Sequence, residues 1–175
     1  MNNKAISCCF SGHRKTHFDM DASYMGDILQ DALKSAIQDA VSAGFTTFYT
    51  GMAMGFDIIA AEIILQQKYV VATDISLMAV VPFKGQELKF SKNWRSRHDN
   101  VLRGVDKIIV LNPQYIQGCY HERNRYLVDH SARLIGLHSE KTGGTKHTFD
   151  YAEKSDIQII NLWPNIAAQD PLKNL

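Results

Sequence analysis

Short apolar segments alternate with longer amphipathic segments along this chain of 175 residues. The apolar segments are typical of strands buried on both faces of a sheet, and the sequence predicts six of them, at residues 5–10, 45–49, 75–81, 105–111, 133–138 and 157–162. Residues 21–43 carry apolar side chains at helical spacing, and helices are also compatible with residues 57–69, 84–103, 119–130 and the stretch that ends at residue 154. This alternation predicts an α/β fold in which a mostly parallel sheet of about six strands lies between two layers of helices.

A glycine-bearing loop follows the second predicted strand, between Thr50 and Asp57. Gly51 and Gly55 lie between a strand and a helix, so free backbone N–H groups at the positive end of the helix dipole can bind an anion there. Glycine lets a ligand approach the backbone closely and also permits positive φ. The same pattern is the ordinary strand-to-helix connection of an α/β protein, and it matches neither G-x-G-x-x-G nor G-x-x-x-x-G-K-[ST]. Taken alone, the loop leaves both interpretations open.

Three further loops follow predicted strands, and they are expected at the same edge because ligands bind outside the carboxyl ends of parallel strands. The first contains Gly12, His13 and Arg14, whose side chains can donate to phosphate, although a basic polar turn is the alternative. The others run from Pro82 to Gln86 and over residues 139–145. Glycine-bearing loops concentrated on one edge favour a nucleotide pocket over a set of unrelated turns.

Two charged segments allow both a functional and a structural interpretation. Within residues 84–103, five side chains could form a wall and cationic rim over a ligand, or a solvated helix face with a packed tryptophan: Gln86, Trp94, Arg95, Arg97 and His98. After residue 118, Arg125 and Asp129 have the i, i+4 spacing of a surface ion pair. Arg123 and Asn124 have no such pairing, which makes them better candidates for ligand contacts.

The composition excludes several classes of protein. The chain has 19 Lys and Arg against 18 Asp and Glu, a formal charge of +1, so no global basic field favours nucleic acid or an anionic membrane. Cys8, Cys9 and Cys119 indicate a reducing compartment rather than a disulfide scaffold or a zinc site. No apolar run is long enough to span a bilayer and no signal peptide is evident, so we expect a cytoplasmic protein. Residues 164–175 are expected to form a flexible tail.

Four motifs, in this order, resemble the YpsA-like group of the SLOG superfamily. They are CCFSGHR at residues 8–14, TGMAMGFDIIAAE at residues 50–62, GCYHERNRYLVDHS at residues 118–131 and GGTKHTFDYA at residues 143–152. The resemblance covers residues 8–162 and implies a Rossmann-like three-layer fold, with a single domain over residues 1–163. It also implies binding of a nucleotide or a nucleotide-derived ligand such as an ADP-ribose-like molecule, with no required cofactor. By resemblance alone, we expect a homodimer.

The resemblance also suggests which residues hold the ligand. We expect the backbone N–H groups of residues 51–55 and 143–145 to hold phosphate, with Arg14 as countercharge and Asn124 or Asp57 meeting the ribose or base. The full set of candidate ligand-binding residues comprises Gly12, His13, Arg14, Thr50, Gly51, Met52, Gly55, Asp57, Pro82, Arg123, Asn124, Gly143, Gly144, Thr145 and Thr148.

Two relatives in the superfamily offer alternative functions. Residues 50–62 are also similar to the loop of DprA, a single-stranded-DNA-binding protein, and basic side chains could serve such a role: Arg95, Arg97, Arg123, Arg125 and Arg133. The LOG phosphoribohydrolases carry G-G-x-G-T-x-x-E with a catalytic glutamate, and in the corresponding alignment Thr148 takes the place of that glutamate. We therefore expect binding without hydrolysis of an N-glycosidic bond. Asp57 and Asp150 are the candidates to replace the carboxylate in a divergent hydrolase, whereas Glu62 is expected to be structural.

Overall fold

The computed structural model describes residues 4–14, 19–21, 23–71, 74–139 and 143–170. Within these ranges lie six strands, namely β1 (Ser7–Gly12), β2 (Thr47–Thr50), β3 (Ser76–Val81), β4 (Lys107–Val110), β5 (Arg133–Leu137) and β6 (Gln158–Asn161). The α-helices in the same ranges are α1 (Tyr24–Ser42), α2 (Phe56–Val71), α3 (Lys92–Gly104), α4 (Cys119–Asp129), α5 (Gly144–Lys154) and α6 (Trp163–Ala167). Short 3-10 helices at Lys4–Ile6 and Gln86–Lys89 precede β1 and α3.

The six strands form one parallel sheet in the order β4-β3-β2-β1-β5-β6, which confirms the predicted α/β fold. The order reverses at β1, where Cys9 lies beside Tyr49 of β2 on one side and beside Leu134 of β5 on the other. The segments that leave β1 and β5 therefore diverge toward opposite faces of the sheet. A crevice opens between them at the carboxyl ends of the strands.

Helices cover both faces of the sheet and complete three layers. Helices α1, α2, α3 and α6 pack on one face, around a core that includes Phe10, Phe48 and Leu77. Helices α4 and α5 pack on the other face, around Cys9 and Leu127. Because crossovers between parallel strands are right-handed, the reversal of strand order after β4 moves the next two helices to the opposite face. In the described ranges, no helix combines the length and apolarity needed to cross a membrane.

Helix α1 shows how the local sequence fixes an element. The Ser23 hydroxyl accepts the N–H of Gly26 at 3.0 Å and caps the first turn. Leu29, Leu33 and Ile37 recur every four residues and form the buried face of the helix. Gly44 follows at φ 89°, the left-handed conformation that commonly ends a helix.

The expectation of a flexible tail from residue 164 is wrong for the residues of α6. Ile166 in this short helix is fully buried against the core, next to α1. Pro164 lies in the first turn, where a missing N–H breaks no helical hydrogen bond. Full burial of an isoleucine side chain stabilises a fold by about 1.5–3 kcal/mol, which fixes this segment to the domain. Residues 171–175 lie outside the described residues.

The charged segment at residues 84–103 joins helices together and does not form a cationic rim. Arg97 donates to both carboxylate oxygens of Glu62, at 2.9 and 2.6 Å, and to Asp21 at 2.6 Å. Its guanidinium also stacks on Trp94, 4.1 Å from the ring centroid. Arg97 therefore ties α3 to α2, and Glu62 has the structural role expected from the sequence.

Candidate functional site

A cleft of about 640 Å³ opens at the crevice between β1 and β5, where the strand order reverses. We call it the first cleft. The end of β1 and the loop after it, the β2–α2 loop with the start of α2, one side of α4 and the first turn of α5 surround it. Its lining residues are Ser11, Gly12, His13, Arg14, Ala53, Met54, Asp57, Tyr120, His121, Arg123, Asn124, Gly144 and Thr145. Such an edge is where open parallel sheets bind their ligands.

The first cleft brings together eight of the residues selected from the sequence: Gly12, His13, Arg14, Asp57, Arg123, Asn124, Gly144 and Thr145. Sequence reasoning missed Ser11, Ala53, Met54, Tyr120 and His121. A helical-spacing argument could have found two of them. Tyr120 and His121 lie three residues before Arg123 and Asn124, so they share one face of α4 with them.

Seven selected residues do not line the first cleft: Thr50, Gly51, Met52, Gly55, Pro82, Gly143 and Thr148. Pro82 is a clear case, because its carbonyl accepts the side-chain N–H of Asn112 at 2.9 Å and so links the segments that follow β3 and β4. Gly143 precedes α5 at φ 108°, a conformation that favours glycine. Residues 140–142 of the same predicted loop lie outside the described residues.

The β2–α2 loop, residues 51–55, is built on the buried hydroxyl of Thr50. That hydroxyl donates to the carbonyl of Asp57 at 3.0 Å and accepts the N–H of Met52 at 3.2 Å. Met52 adopts φ 57°, unusual for a residue with a side chain, and its carbonyl accepts the side-chain N–H of Gln86 at 3.2 Å. Thr50 and Met52 therefore hold the loop in shape.

Gly51 is required by a contact inside the protein. Arg123 donates to the carbonyl of Gly51, and a Cβ added at position 51 would overlap the guanidinium. The same guanidinium lies 3.8 Å from a carboxylate oxygen of Asp57, and both side chains are buried. Arg123 therefore crosses from α4 to fasten the loop and to neutralise the carboxylate beneath it.

Burial raises the pKa of Asp57 above its usual value. The positive charge of Arg123, a hydrogen bond from the N–H of Ala53 and the charge of Arg14 oppose that rise, with a smaller contribution from the N–H of Gly12. The Ala53 N–H lies 3.4 Å from the carboxylate. Asp57 is thus a shielded carboxylate on the floor of the cleft, since most of its hydrogen-bonding capacity is directed at the protein itself.

His13 links the loop after β1 to the loop after β5. Its Nε2 accepts the backbone N–H of Ser139 at 2.9 Å, and the Ser139 hydroxyl lies 2.8 Å from the same nitrogen. A ring nitrogen that accepts an N–H carries no proton, so Nε2 does not donate to phosphate as the sequence analysis suggested for this side chain. His13 is buried and fixes the shape of the cleft.

Arg14 and Tyr120 form the outer part of the first cleft. The Arg14 side chain is exposed, and its guanidinium lies 5.1 Å from the centroid of the Tyr120 ring. This ring also forms a T-shaped pair with Phe83, a buried aromatic side chain, with centroids 5.8 Å apart. An accessible cation and a supported aromatic face therefore lie side by side at the entrance.

The first turn of α5 contributes backbone to the cleft. Gly144 is exposed and Thr145 is half-buried, and the first N–H groups of a helix have no intrahelical acceptor. Asn124 approaches this turn, with its side-chain N–H 3.4 Å from the carbonyl of Gly144. Thr148 donates its hydroxyl to the same carbonyl at 3.0 Å and is buried. The residue at the catalytic-glutamate position of the hydrolase motif is therefore engaged within its own helix.

A second cleft, of about 600 Å³, lies along the outer face of α4 and α5. Its lining residues are Gly118, His121, Asn124, Arg125, His147, Thr148, Asp150, Tyr151 and Lys154. Asp150 faces this second cleft and binds Lys146, with oxygen–nitrogen distances of 2.6 and 2.7 Å. Asp150 therefore does not join Asp57 in the first cleft. Among the described residues, no group of three or more His, Cys, Asp or Glu side chains could hold a metal ion.

The parallel sheet reverses its strand order at β1, and the first cleft lies at that reversal. These two features define a Rossmann-like α/β protein with a ligand-sized crevice between its loops. Comparison with known families then gives a specific assignment. The model of the YspA SLOG family matches residues 8–162, so the chain belongs to this family.

Individual relatives extend the comparison. The chain is 27% identical over 154 residues to the uncharacterized SPbeta prophage-derived protein YoqJ of Bacillus subtilis (strain 168), covering 78% of this chain and 88% of YoqJ. Among solved structures it is similar to DNA processing protein A (DprA) from Helicobacter pylori, a structure described for its single-stranded DNA binding mode, with a TM-score of 0.60 and 17% identity over 90% of this chain. DprA from Streptococcus pneumoniae gives a TM-score of 0.57 and 18% identity over 87% of this chain. The chain spans only 65% and 48% of these two DprA chains, and the likeness concerns the fold.

Proposed function

We propose that the protein binds a nucleotide or a nucleotide-derived small molecule in the first cleft. One observation carries the proposal: the exposed Arg14 and the open first turn of α5 lie on the same cleft at the strand-order reversal. A cation and unpaired helical N–H groups suit a phosphate. Membership of the SLOG family supports the same class of ligand.

The arrangement of side chains suggests how the parts of a nucleotide would be recognised. The phosphate lies between Arg14 and the N–H groups of Gly144 and Thr145, and the base stacks on Tyr120 once Arg14 turns toward the phosphate. Asn124, at the boundary of α4 and α5, has amide groups suited to a ribose hydroxyl. Asp57 and Arg123 form the floor beneath these contacts.

Thermal shift with a panel of mono-, di- and cyclic nucleotides and ADP-ribose tests this proposal. A ligand at 100 times its dissociation constant stabilises the fold by about 2.7 kcal/mol. The variant Arg14→Gln should weaken binding, whereas Arg103→Gln, at an exposed arginine of α3 outside the first cleft, serves as the matched control. No shift with any member of the panel would overturn the proposal.

We propose further that bound nucleoside monophosphates are not hydrolysed at the glycosidic bond. Among the described residues that line the first cleft, Asp57 is the one carboxylate, and it lies against Arg123 and the N–H of Ala53. Thr148 is engaged within α5 and Asp150 faces the second cleft. Chromatography after incubation with each common monophosphate should show no free base. Release of base by the wild type and its loss in Asp57→Asn would favour the divergent hydrolase.

Binding of single-stranded DNA is a second candidate, favoured by the fold likeness to DprA. The arginines named for this role do not share a surface. Arg97 and Arg123 are held by carboxylates, and Arg95 binds carbonyls of the 3-10 helix. Arg125 lines the second cleft, and Arg133 opens β5 at the amino end of the sheet. An electrophoretic shift assay at low salt should therefore show no complex. A complex would favour this candidate if the logarithm of its binding constant falls with the logarithm of salt concentration at a slope of about −0.7 per phosphate contact.

The homodimer and the cytoplasmic location stay predictions. Sedimentation at micromolar concentration checks the dimer, and a monomer mass would contradict it.

A further inference from the structure

The two clefts are neighbours separated by a thin wall. His121 and Asn124, which lie three residues apart on α4, line both clefts. Asn124 is held in place because its side-chain oxygen accepts the Nε–H of Arg123 at 2.8 Å. His121 is exposed and forms a T-shaped pair with the His147 ring, with centroids 5.0 Å apart. A ligand in the first cleft can therefore pass over His121 into the groove between α4 and α5.

We propose that the second cleft binds a second nucleotide unit of the same ligand, joined to the first through phosphate. This inference rests on the proposed function of the first cleft. It assigns to the α4–α5 groove a binding site of its own, with the connecting phosphate beside His121 and the second base among the rings of His147 and Tyr151.

The charge of the second cleft fits such a ligand. Arg125 and Lys154 are exposed and have no ion-pair partner among the described residues. The surface pair expected between Arg125 and Asp129 does not form among the described residues, and Asp129 accepts the Tyr151 hydroxyl at 2.9 Å. The carboxylate of this cleft, Asp150, is already neutralised by Lys146. Arg125 and Lys154 therefore remain as exposed cations that can meet phosphate.

The available space is the second observation. The first cleft measures about 640 Å³ and the second about 600 Å³. A drug-sized ligand occupies a pocket of about 300–1,000 Å³, so each cleft has room for one nucleotide unit. Aromatic and imidazole rings provide stacking surfaces that tolerate any base. Room, rings and positive charge together favour a second nucleotide unit over a simple counterion.

Isothermal titration calorimetry with one-unit and two-unit ligands tests the inference. The probes are AMP, the 5′-phosphorylated dinucleotide pApA with a phosphodiester link, and the di(adenosine-5′) diphosphate AppA with a pyrophosphate link. At least one two-unit probe should bind tenfold or more tightly than AMP, and comparison of the two shows which linkage the wall at His121 accepts. The variant Arg125→Ala should weaken binding of that probe about five- to tenfold and leave AMP binding unchanged.

Arg103→Ala is the control, because this exposed arginine lies on α3, which packs on the opposite face of the sheet. Lys154→Ala provides an independent second variant in the same cleft, and unfolding curves check that each variant is folded. Equal affinities for AMP and both two-unit probes, or equal loss for all three in Arg125→Ala, would overturn the second site while leaving the proposed function intact. Failure of every probe to bind the wild type would instead overturn the proposed function.

Discussion

The β2–α2 loop and the start of α5 both place glycine at the same edge of the sheet, but these glycines face different surroundings. A Cβ added at Gly51 would overlap the Arg123 guanidinium. A Cβ added at Gly55 would lie 2.7–2.8 Å from the carbonyl oxygens that follow β1. At Gly144, by contrast, no described atom lies within 4 Å of an added Cβ.

The difference shows that glycine serves two needs in one site. In the β2–α2 loop it lets the chain pack against itself, which brings Asp57 and Arg123 together under the cleft. At the start of α5 it leaves the backbone N–H groups open to whatever occupies the cleft. The sequence motif is the same kind of glycine loop in both places, whereas one loop forms the floor and the other faces the ligand. Substitutions that separate stability from binding test this division.

The largest effect is expected for Arg123→Met. Removal of the guanidinium leaves Asp57 buried without a cation and the carbonyl of Gly51 without its donor. Loss of one partner of a buried ion pair destabilises a fold by about 3–5 kcal/mol. Urea unfolding measures the change. The double variant Arg123→Met with Asp57→Asn should recover part of the loss, and a double variant as unstable as the sum of the single ones would show that the two side chains do not interact.

A smaller loss, of about 1–3 kcal/mol, is expected for Gly51→Ala, because the added methyl group must displace the Arg123 side chain in a packed interior. The midpoint of urea unfolding should fall with an unchanged slope. Gly144→Ala is the matched control at the other loop. Unchanged stability in Gly51→Ala would mean that the β2–α2 loop is as open as the start of α5.

Asp57, on the floor of the first cleft, should also make the stability of the protein depend on pH. Because burial raises the pKa of Asp57, the folded state binds its proton more tightly than the unfolded state. The stabilising contribution of Asp57 to the free energy of unfolding is therefore fully present below the unfolded pKa of about 3.9, and it is lost as pH rises through the folded pKa. The stability of the wild type relative to Asp57→Asn should decrease over that interval, in unfolding measurements from about pH 4 upward. An increase over the same interval would contradict the raised pKa.

The smallest effect on stability is expected for Gly144→Ala. A methyl group here meets open space, and alanine is a better helix former than glycine, so the free energy of unfolding should change by at most about 0.5–1 kcal/mol. Nucleotide affinity should fall about tenfold, because the methyl group enters the space where phosphate approaches the backbone. Thermal shift with and without ligand separates the two quantities. Unchanged affinity would place the phosphate elsewhere.

The fold could be predicted from the sequence because buried parallel strands are short apolar runs, and the runs at β1, β3 and β5 are unmistakable. The edge that carries the site followed from the same pattern, since strand ends are local features. The division of roles between Gly51 and Gly144 could not be predicted, because it depends on Arg123, which reaches the loop from another helix. Tyr120 and His121 could have been predicted from helical spacing, because they share one face of α4 with Arg123 and Asn124. The burial of Ile166 could not be predicted, because a short proline-containing segment shows no helical periodicity.

The contact between Arg123 and Gly51 joins positions 72 residues apart in the chain. A nascent chain that has finished β2 and α2 already contains every atom of the glycine loop but lacks the side chain that fastens it. The floor of the cleft can therefore be completed only after β3, α3 and β4 are synthesised and α4 docks on the far face of the sheet. The order of biosynthesis makes the site one of the last parts of this domain to acquire its final form.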